Sequence, residues 1–219
     1  MKQPEFFNPL SYTALSDSLA RAIMSSELYP MTTVRDESFD GYGIYALFYD
    51  GPFHAYHRLA EQNRTQPGTW PIYIGVAAPK ALKGTQWRPE DVDKNQPEKG
   101  LSNRVRHHAK SIEAVTNLNI NDFACKLLTL SFVWAPVAES AMIAAYEPVW
   151  NAHVTGFGNH AQGKGRSTGM QTLWDTLHPG RLMNGTPNIR TAQEIADEAE
   201  QALEETWQRK FRQIMKRRP

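Results

Sequence analysis

The sequence predicts a mixed α/β (α+β) fold in a single domain over residues 1–219. Three short β-rich runs, 42–49, 71–77 and 123–135, alternate with segments whose apolar residues recur at helical spacing. A stretch rich in Gly, Asn, Thr and His over 151–190 then separates this core from a long charged segment over 191–219. A chain of this length buries a sizeable core without disulfide or metal staples.

Leu15, Leu19, Ala22 and Ile23 mark an amphipathic helix between Ser11 and Ser26, closed by Pro30. The aromatic and aliphatic run 42–49 lies between Gly41 and the turn Asp50-Gly51-Pro52, and reads as a strand. A helical pattern over 54–63 and a turn at Pro67-Gly68 lead to the second strand at 71–77. Pro89 and Pro97 make 79–100 a long loop. Leu101–Val115 predicts a helix with Ser102 as its cap, and Phe123–Ala135 a third strand. Pro136–Tyr146 predicts a helix stopped by Pro148. Residues 151–190 lack periodicity, and a loop of that length in a compact protein is a candidate for function. The last helix, Thr191–Arg218, has acids near its start and bases near its end, which complements the helix dipole and suits a solvated face.

Composition narrows the partners. Lys and Arg number 24 against 23 Asp and Glu, so a nucleic-acid surface has to be a local patch. The single cysteine, Cys125, excludes an internal disulfide and fits a reducing, cytoplasmic compartment. The N-terminus lacks a signal-peptide run, and Pro136 and Glu139 interrupt the most apolar stretch, 127–146, so no membrane partner is expected. The seven histidines are scattered and show no standard zinc spacing.

Two tripeptides stand out: Gly43-Ile44-Tyr45 and Tyr73-Ile74-Gly75. Downstream, Arg104 and His108 are four apart and share a helix face, although Arg106 and His107 offer an alternative basic face. Glu139 is the only acid between Asp122 and Glu147, on an otherwise apolar helix that leads to Pro148 and Asn151. A carboxylate facing a core needs a partner, and a hydrated divalent cation is a natural one. The plainer alternative is a solvent-facing residue favoured by the helix dipole. Gly158 to Lys164 has the spacing of a phosphate-binding P-loop, but Gly165 stands where Ser or Thr would hold Mg²⁺.

Together these residues resemble the GIY-YIG nucleases, in which the two tyrosines meet on adjacent strands. Gly156-Phe157-Gly158-Asn159-His160, Gly163-Lys164-Gly165-Arg166 and Trp174 to Arg181 are similar to a subgroup of small type II restriction endonucleases that cut a GC-rich palindrome. The resemblance spans roughly 40–181. It implies a three-stranded antiparallel sheet flanked by helices, a catalytic core over 40–151, a DNA-recognition region over 152–190 and an added C-terminal helix over 191–219. It also implies phosphodiester hydrolysis in DNA with one Mg²⁺, for which Mn²⁺ can substitute. On that reading Tyr45 is the general base and Tyr73 its positioning partner, with the reverse open. Arg104 clamps phosphate, and His108 donates to phosphate or relays a proton. Glu139 holds the metal, and Asn151 orients ligands or contacts phosphate. Asn159, His160, Lys164, Arg166, His178 and Arg181 supply base-edge and phosphate contacts, Arg being the usual reader of guanine.

A palindromic site implies a homodimer on double-stranded DNA, with the N-terminal helix and residues 52–70 as candidate contacts, and a cognate DNA methyltransferase in the host. Where many relatives carry Lys after the second motif this chain has Val76, so Lys80, Lys83 or Arg104 has to supply the missing cation. Repair or homing nucleases of the same superfamily, and a non-catalytic DNA-binding module, are the competing readings. The first usually append separate DNA-binding domains. The second is at odds with both tyrosines, Arg104 and Glu139 being present.

Overall fold

The computed structural model describes residues 12–78, 98–131, 133–158, 169–181 and 185–216, with side chains over 14–210 of these. Its centre is an antiparallel sheet of β1 (Leu28–Pro30), β2 (Gly43–Tyr49), β3 (Pro71–Ala77) and β4 (Phe123–Thr129). The strand order is β1-β4-β2-β3. The sheet therefore has one strand more than expected. β1 pairs Leu28 with Lys126 and Pro30 with Ala124 at the free edge of β4. A proline cannot donate to a ladder, so a three-residue strand ending in Pro30 is confined to an edge.

β2 is buried along its whole length because both faces are covered. Its side chains alternate between those faces. Ile44, Ala46 and Phe48 pack with Ile23 of α1 (Tyr12–Met24) and with Ala135, Ala138 and Met142 of α5 (Ala135–Tyr146). Tyr45, Leu47 and Tyr49 point the other way, into the larger core. There α2 (Met31–Asp36) contributes Met31 and Val34, and α4 (Gly100–Glu113) contributes Leu101, Val105, Ala109 and Ile112 at helical spacing. The start of α4 corrects the expected cap. Ser102 lies inside the helix and is fully buried, while Lys99 precedes it without a side-chain cap.

The third strand stops at Thr129 rather than Ala135, and residues 133–134 turn directly into α5. Between β2 and β3, α3 (His57–Thr65) follows a short 3₁₀ turn over His54–Tyr56. Two short helices, α6 (Val149–Ala152) and α7 (Leu173–Leu177), break the region expected to be loop.

The C-terminal helix α8 (Ala192–Lys216) is not solvated all round. Ile195, Ala199 and Leu203 are buried against α7 and the 3₁₀ turn, and Trp207 stacks on Trp70 at 5.5 Å. A capping box starts the helix: Thr191 Oγ1 accepts from the Glu194 amide, and the Glu194 carboxylate accepts from the Thr191 amide. Arg58 on α3 pairs with Glu204 at 2.8 Å, so much of the 52–70 segment is committed to its own chain. Among the described residues no helix is long and apolar enough to cross a membrane.

Candidate active site

The register of β2 on β3 brings the two tyrosines together. Tyr45 lies opposite Gly75 and Leu47 opposite Tyr73, so Tyr45 and Tyr73 are diagonal neighbours on one face. Their ring centroids are 6.1 Å apart. Gly75 cannot carry a side chain there, because a Cβ would collide with the Tyr45 ring and hydroxyl. The glycine of the second motif is therefore the floor on which the tyrosine of the first motif rests.

Helix α4 lays its Arg104/His108 face over this pair. His108 is 1 % exposed, and its Nε2 lies 2.6 Å from the Tyr45 hydroxyl. The Arg104 guanidinium sits beside both tyrosine hydroxyls, pulling the pKa of each down, and donates at 3.1 Å to the Gly158 carbonyl. Arg106 points away and donates to the carbonyls of Arg35 and Glu37. His107 instead lines an open cleft of about 660 Å³ together with Tyr42, Val76, Glu98, Asn103 and Arg104.

Glu139 reaches the same cluster from α5. Its carboxylate accepts a hydrogen bond from the Val76 amide and feels the Arg104 charge. Burial nevertheless raises its pKa, because the charged form loses hydration. A half-buried carboxylate of this kind suits a hydrated Mg²⁺, which takes one or two protein carboxylates and keeps its other ligands as water. Among the described residues no group of three or more His, Cys, Asp and Glu side chains gathers.

The Asn151 side chain is bound to the backbone of β3. Its Oδ1 accepts from the Ile74 amide and its Nδ2 donates to the Ile74 carbonyl, both at 2.8 Å. β3 is an edge strand, and these are backbone groups that β2 does not use. Asn151 therefore takes the place of a missing neighbouring strand at the residue between Tyr73 and Gly75.

Electrostatically the pocket disfavours phenolate. Burial drives the Tyr45 hydroxyl well above its ordinary pKa and Tyr73 upward too, while Arg104 pulls each back. Tyr45 is fully buried, whereas Tyr73 retains 7 % exposure.

Two residues expected to contact DNA lie inside the protein. His178 is 0 % exposed, with Nε2 at 2.7 Å from the Tyr56 hydroxyl and Nδ1 at 3.0 Å from Asn117 Oδ1. Burial pushes its pKa down to about 3, so it is a neutral core residue. The Arg181 side chain is 9 % exposed and pairs with Asp175 at 2.8 Å. It also donates to the Phe157 carbonyl at 3.1 Å and the Gly156 carbonyl at 3.2 Å. These bonds turn its fork inward, away from any base edge. Asn159, His160, Lys164 and Arg166 lie outside the described residues, as do Lys80 and Lys83.

Sequence reasoning missed Phe157. Its ring stacks on His108 at 4.4 Å and meets Tyr73 edge-on at 5.0 Å. The only signal was an aromatic residue between two glycines in a polar stretch. Gly158 follows immediately, so close that a Cβ there would lie 2.6 Å from the Tyr73 hydroxyl.

The paired tyrosines, the arginine and histidine of one helix and the half-buried carboxylate form one constellation drawn from β2, β3, α4 and α5. A comparison with curated proteins returns no match. A family model described as the Eco29kI GIY-YIG domain matches residues 37–205, most of the chain, including every member of that constellation and most of α8. The chain belongs to this GIY-YIG restriction endonuclease family, nucleases whose substrate is DNA.

Proposed function

We propose that the protein is a type II restriction enzyme, cutting both strands of a GC-rich palindrome as a Mg²⁺-dependent homodimer alongside a cognate methyltransferase. The observation that carries the catalytic reading is the buried Tyr45–His108 hydrogen bond beside Tyr73, Arg104 and Glu139.

A tyrosine acting as general base has to lose its own proton. At its ordinary pKa near 10 only about one phenol in a thousand is ionised at pH 7, and burial makes the fraction here smaller. The hydrogen bond to His108 removes that obstacle. As the Tyr45 oxygen takes a proton from the attacking water, its own hydroxyl proton passes to His108 Nε2, and no free phenolate forms. Arg104 offers two fixed donors to a phosphate oxygen and stabilises negative charge on either tyrosine oxygen. Tyr73 aligns the water against the phosphorus. Glu139 would hold the Mg²⁺, which when bound supplies Lewis-acid stabilisation of the scissile phosphate. Asn151 keeps β3, and with it Tyr73, in register.

The greater exposure of Tyr73 favours a second reading, in which Tyr73 meets the water and Tyr45 passes the proton on to His108. The two differ in one variant. If Tyr45 is the base, Tyr73→Phe retains cleavage within about tenfold; if Tyr73 is the base, it loses the 10²–10⁴-fold typical of general-base catalysis. Asn159, His160, Lys164 and Arg166, which continue the chain directly from Gly158, supply the base and phosphate contacts.

Incubation of the protein with plasmids carrying diverse palindromes, with Mg²⁺ and with chelator, tests the assignment. Discrete metal-dependent fragments are expected. Glu139→Ala should abolish cleavage and spare DNA binding, and full activity in that variant refutes the metal assignment.

A further inference from the structure

We propose that Arg181 is a positioning residue for the cleavage reaction, holding Gly156-Phe157-Gly158 against the catalytic side chains, and this rests on the nuclease reading above. Arg181 is a hub between elements distant in sequence. Its guanidinium pairs with Asp175 on α7, stacks over the Trp174 ring at 4.6 Å and donates to two consecutive carbonyls, those of Gly156 and Phe157. Only a planar fork with several donors makes all of these bonds at once. The carbonyls it fixes belong to the turn whose next atoms do the contacting. The Phe157 ring covers His108 and abuts Tyr73, and the Gly158 carbonyl accepts from Arg104. Three of the proposed catalytic side chains thus lean on a turn that Arg181 holds in place.

The same turn is the last described point before 159–168, the stretch with the expected DNA-contacting residues. A shift of the turn therefore misplaces His108 and Arg104 together. Displacements of about 1 Å in such a site cost on the order of 10²-fold in rate.

The test compares the full-length protein with Arg181→Met, Phe157→Leu and the double variant. Phe157→Leu leaves the Arg181–Asp175 pair intact, so it reports on the turn even if Arg181→Met folds poorly. Asn117→Ala, which releases the other anchor of α7 at His178 and Leu177, serves as the control for plain destabilisation. Single-turnover cleavage of a plasmid cut by the wild type should fall about 10²-fold in Arg181→Met, with DNA affinity changed by less than about threefold. The double variant should be hardly worse than either single one, because both act through one contact. Asn117→Ala should lower the melting temperature and leave the rate alone.

An activity-free readout runs in parallel. The His108 ring protons should lose the ring-current shift caused by Phe157 in Arg181→Met and in Phe157→Leu. Unchanged His108 resonances in folded Arg181→Met, additive rate losses, or a rate loss that tracks weakened DNA binding would each overturn the proposal. A wild type that fails to cut overturns the nuclease reading instead, and the resonance test still decides the positioning.

Discussion

Acidification should destabilise this protein through His178, over and above the titration of its carboxylates. Its imidazole is sealed between Tyr56 and Asn117 and ringed by Phe53, Trp150 and Trp174. With Nδ1 donating to Asn117 and Nε2 accepting from Tyr56, the neutral ring satisfies both partners, whereas the cation would place two donors face to face at Tyr56. Trp150 Nε1 already donates to the Tyr56 oxygen at 2.8 Å, which leaves the Tyr56 proton to His178. The folded pKa is pushed down to about 3, against about 6.5 in an unfolded chain. Between those values the unfolded state binds the extra proton, so stability is full above about pH 6.5 and falls as the pH is lowered. At 1.36 kcal/mol per unit, the loss from pH 7 to pH 4.5 is about 2.5 kcal/mol. For a chain of this size that corresponds to about 5–10 °C in melting temperature. Carboxylates titrate in the same range, so the measurement is a difference. Melting curves of wild type and His178→Gln are compared at pH 7, 6, 5 and 4.5. Glutamine keeps a donor and an acceptor but no titrating group, so the wild-type advantage should shrink by about 2.5 kcal/mol over that span. Parallel curves would refute the reasoning and mean that His178 is hydrated or paired with an acid.

Other perturbations address the site directly. Gly75→Ala should lower cleavage about 10²-fold and stability by about 1–3 kcal/mol, because the added methyl displaces the Tyr45 ring; thermal melts and single-turnover rates measure both. Tyr45→Phe should lose 10²–10⁴-fold in rate with DNA binding intact, and near-normal activity would remove it from the proton path. Asn151→Ala should destabilise the fold by about 1–3 kcal/mol, since the Ile74 amide and carbonyl lose their partners, and amide exchange at Ile74 should rise.

The meeting of Tyr45, Tyr73, Arg104 and His108 was legible because its signals are local. Short strands bounded by glycine and turn residues announce β2 and β3, and a separation of four on a helix puts Arg104 beside His108. The readings that failed concern residues whose role is set by distant partners. β1 is too short to show periodicity and exists only because β4 offers it an edge. His178 and Arg181 look like surface residues in a polar stretch. Their burial depends on Tyr56, Asn117 and Asp175, and nothing in the local pattern forecasts Tyr56 or Asn117. Asn151 was found by its place after Pro148, but a side chain that pins a strand edge and one that contacts phosphate look alike until the strand order is known.

Val76 stands where the resemblance leads one to expect Lys. Lysine there would extend a flexible cation from the sheet edge toward the cleft. Valine supplies no charge, yet its backbone amide still binds Glu139. Among the described residues the positive charge beside the two tyrosines is that of Arg104, seated against Gly158, while Lys80 and Lys83 lie outside them. A guanidinium cannot deprotonate at working pH, so it cannot itself take the proton. On the proposed reading the acceptor is His108, which is hydrogen-bonded to Tyr45. In that proposal the work divides: the permanent charge of Arg104 stabilises negative charge developing on the tyrosine oxygens, and the imidazole behind Tyr45 takes its proton. The turn at Gly156–Gly158 touches both groups, Phe157 against His108 and the Gly158 carbonyl on Arg104, so on that reading its placement governs the charge and the acceptor together.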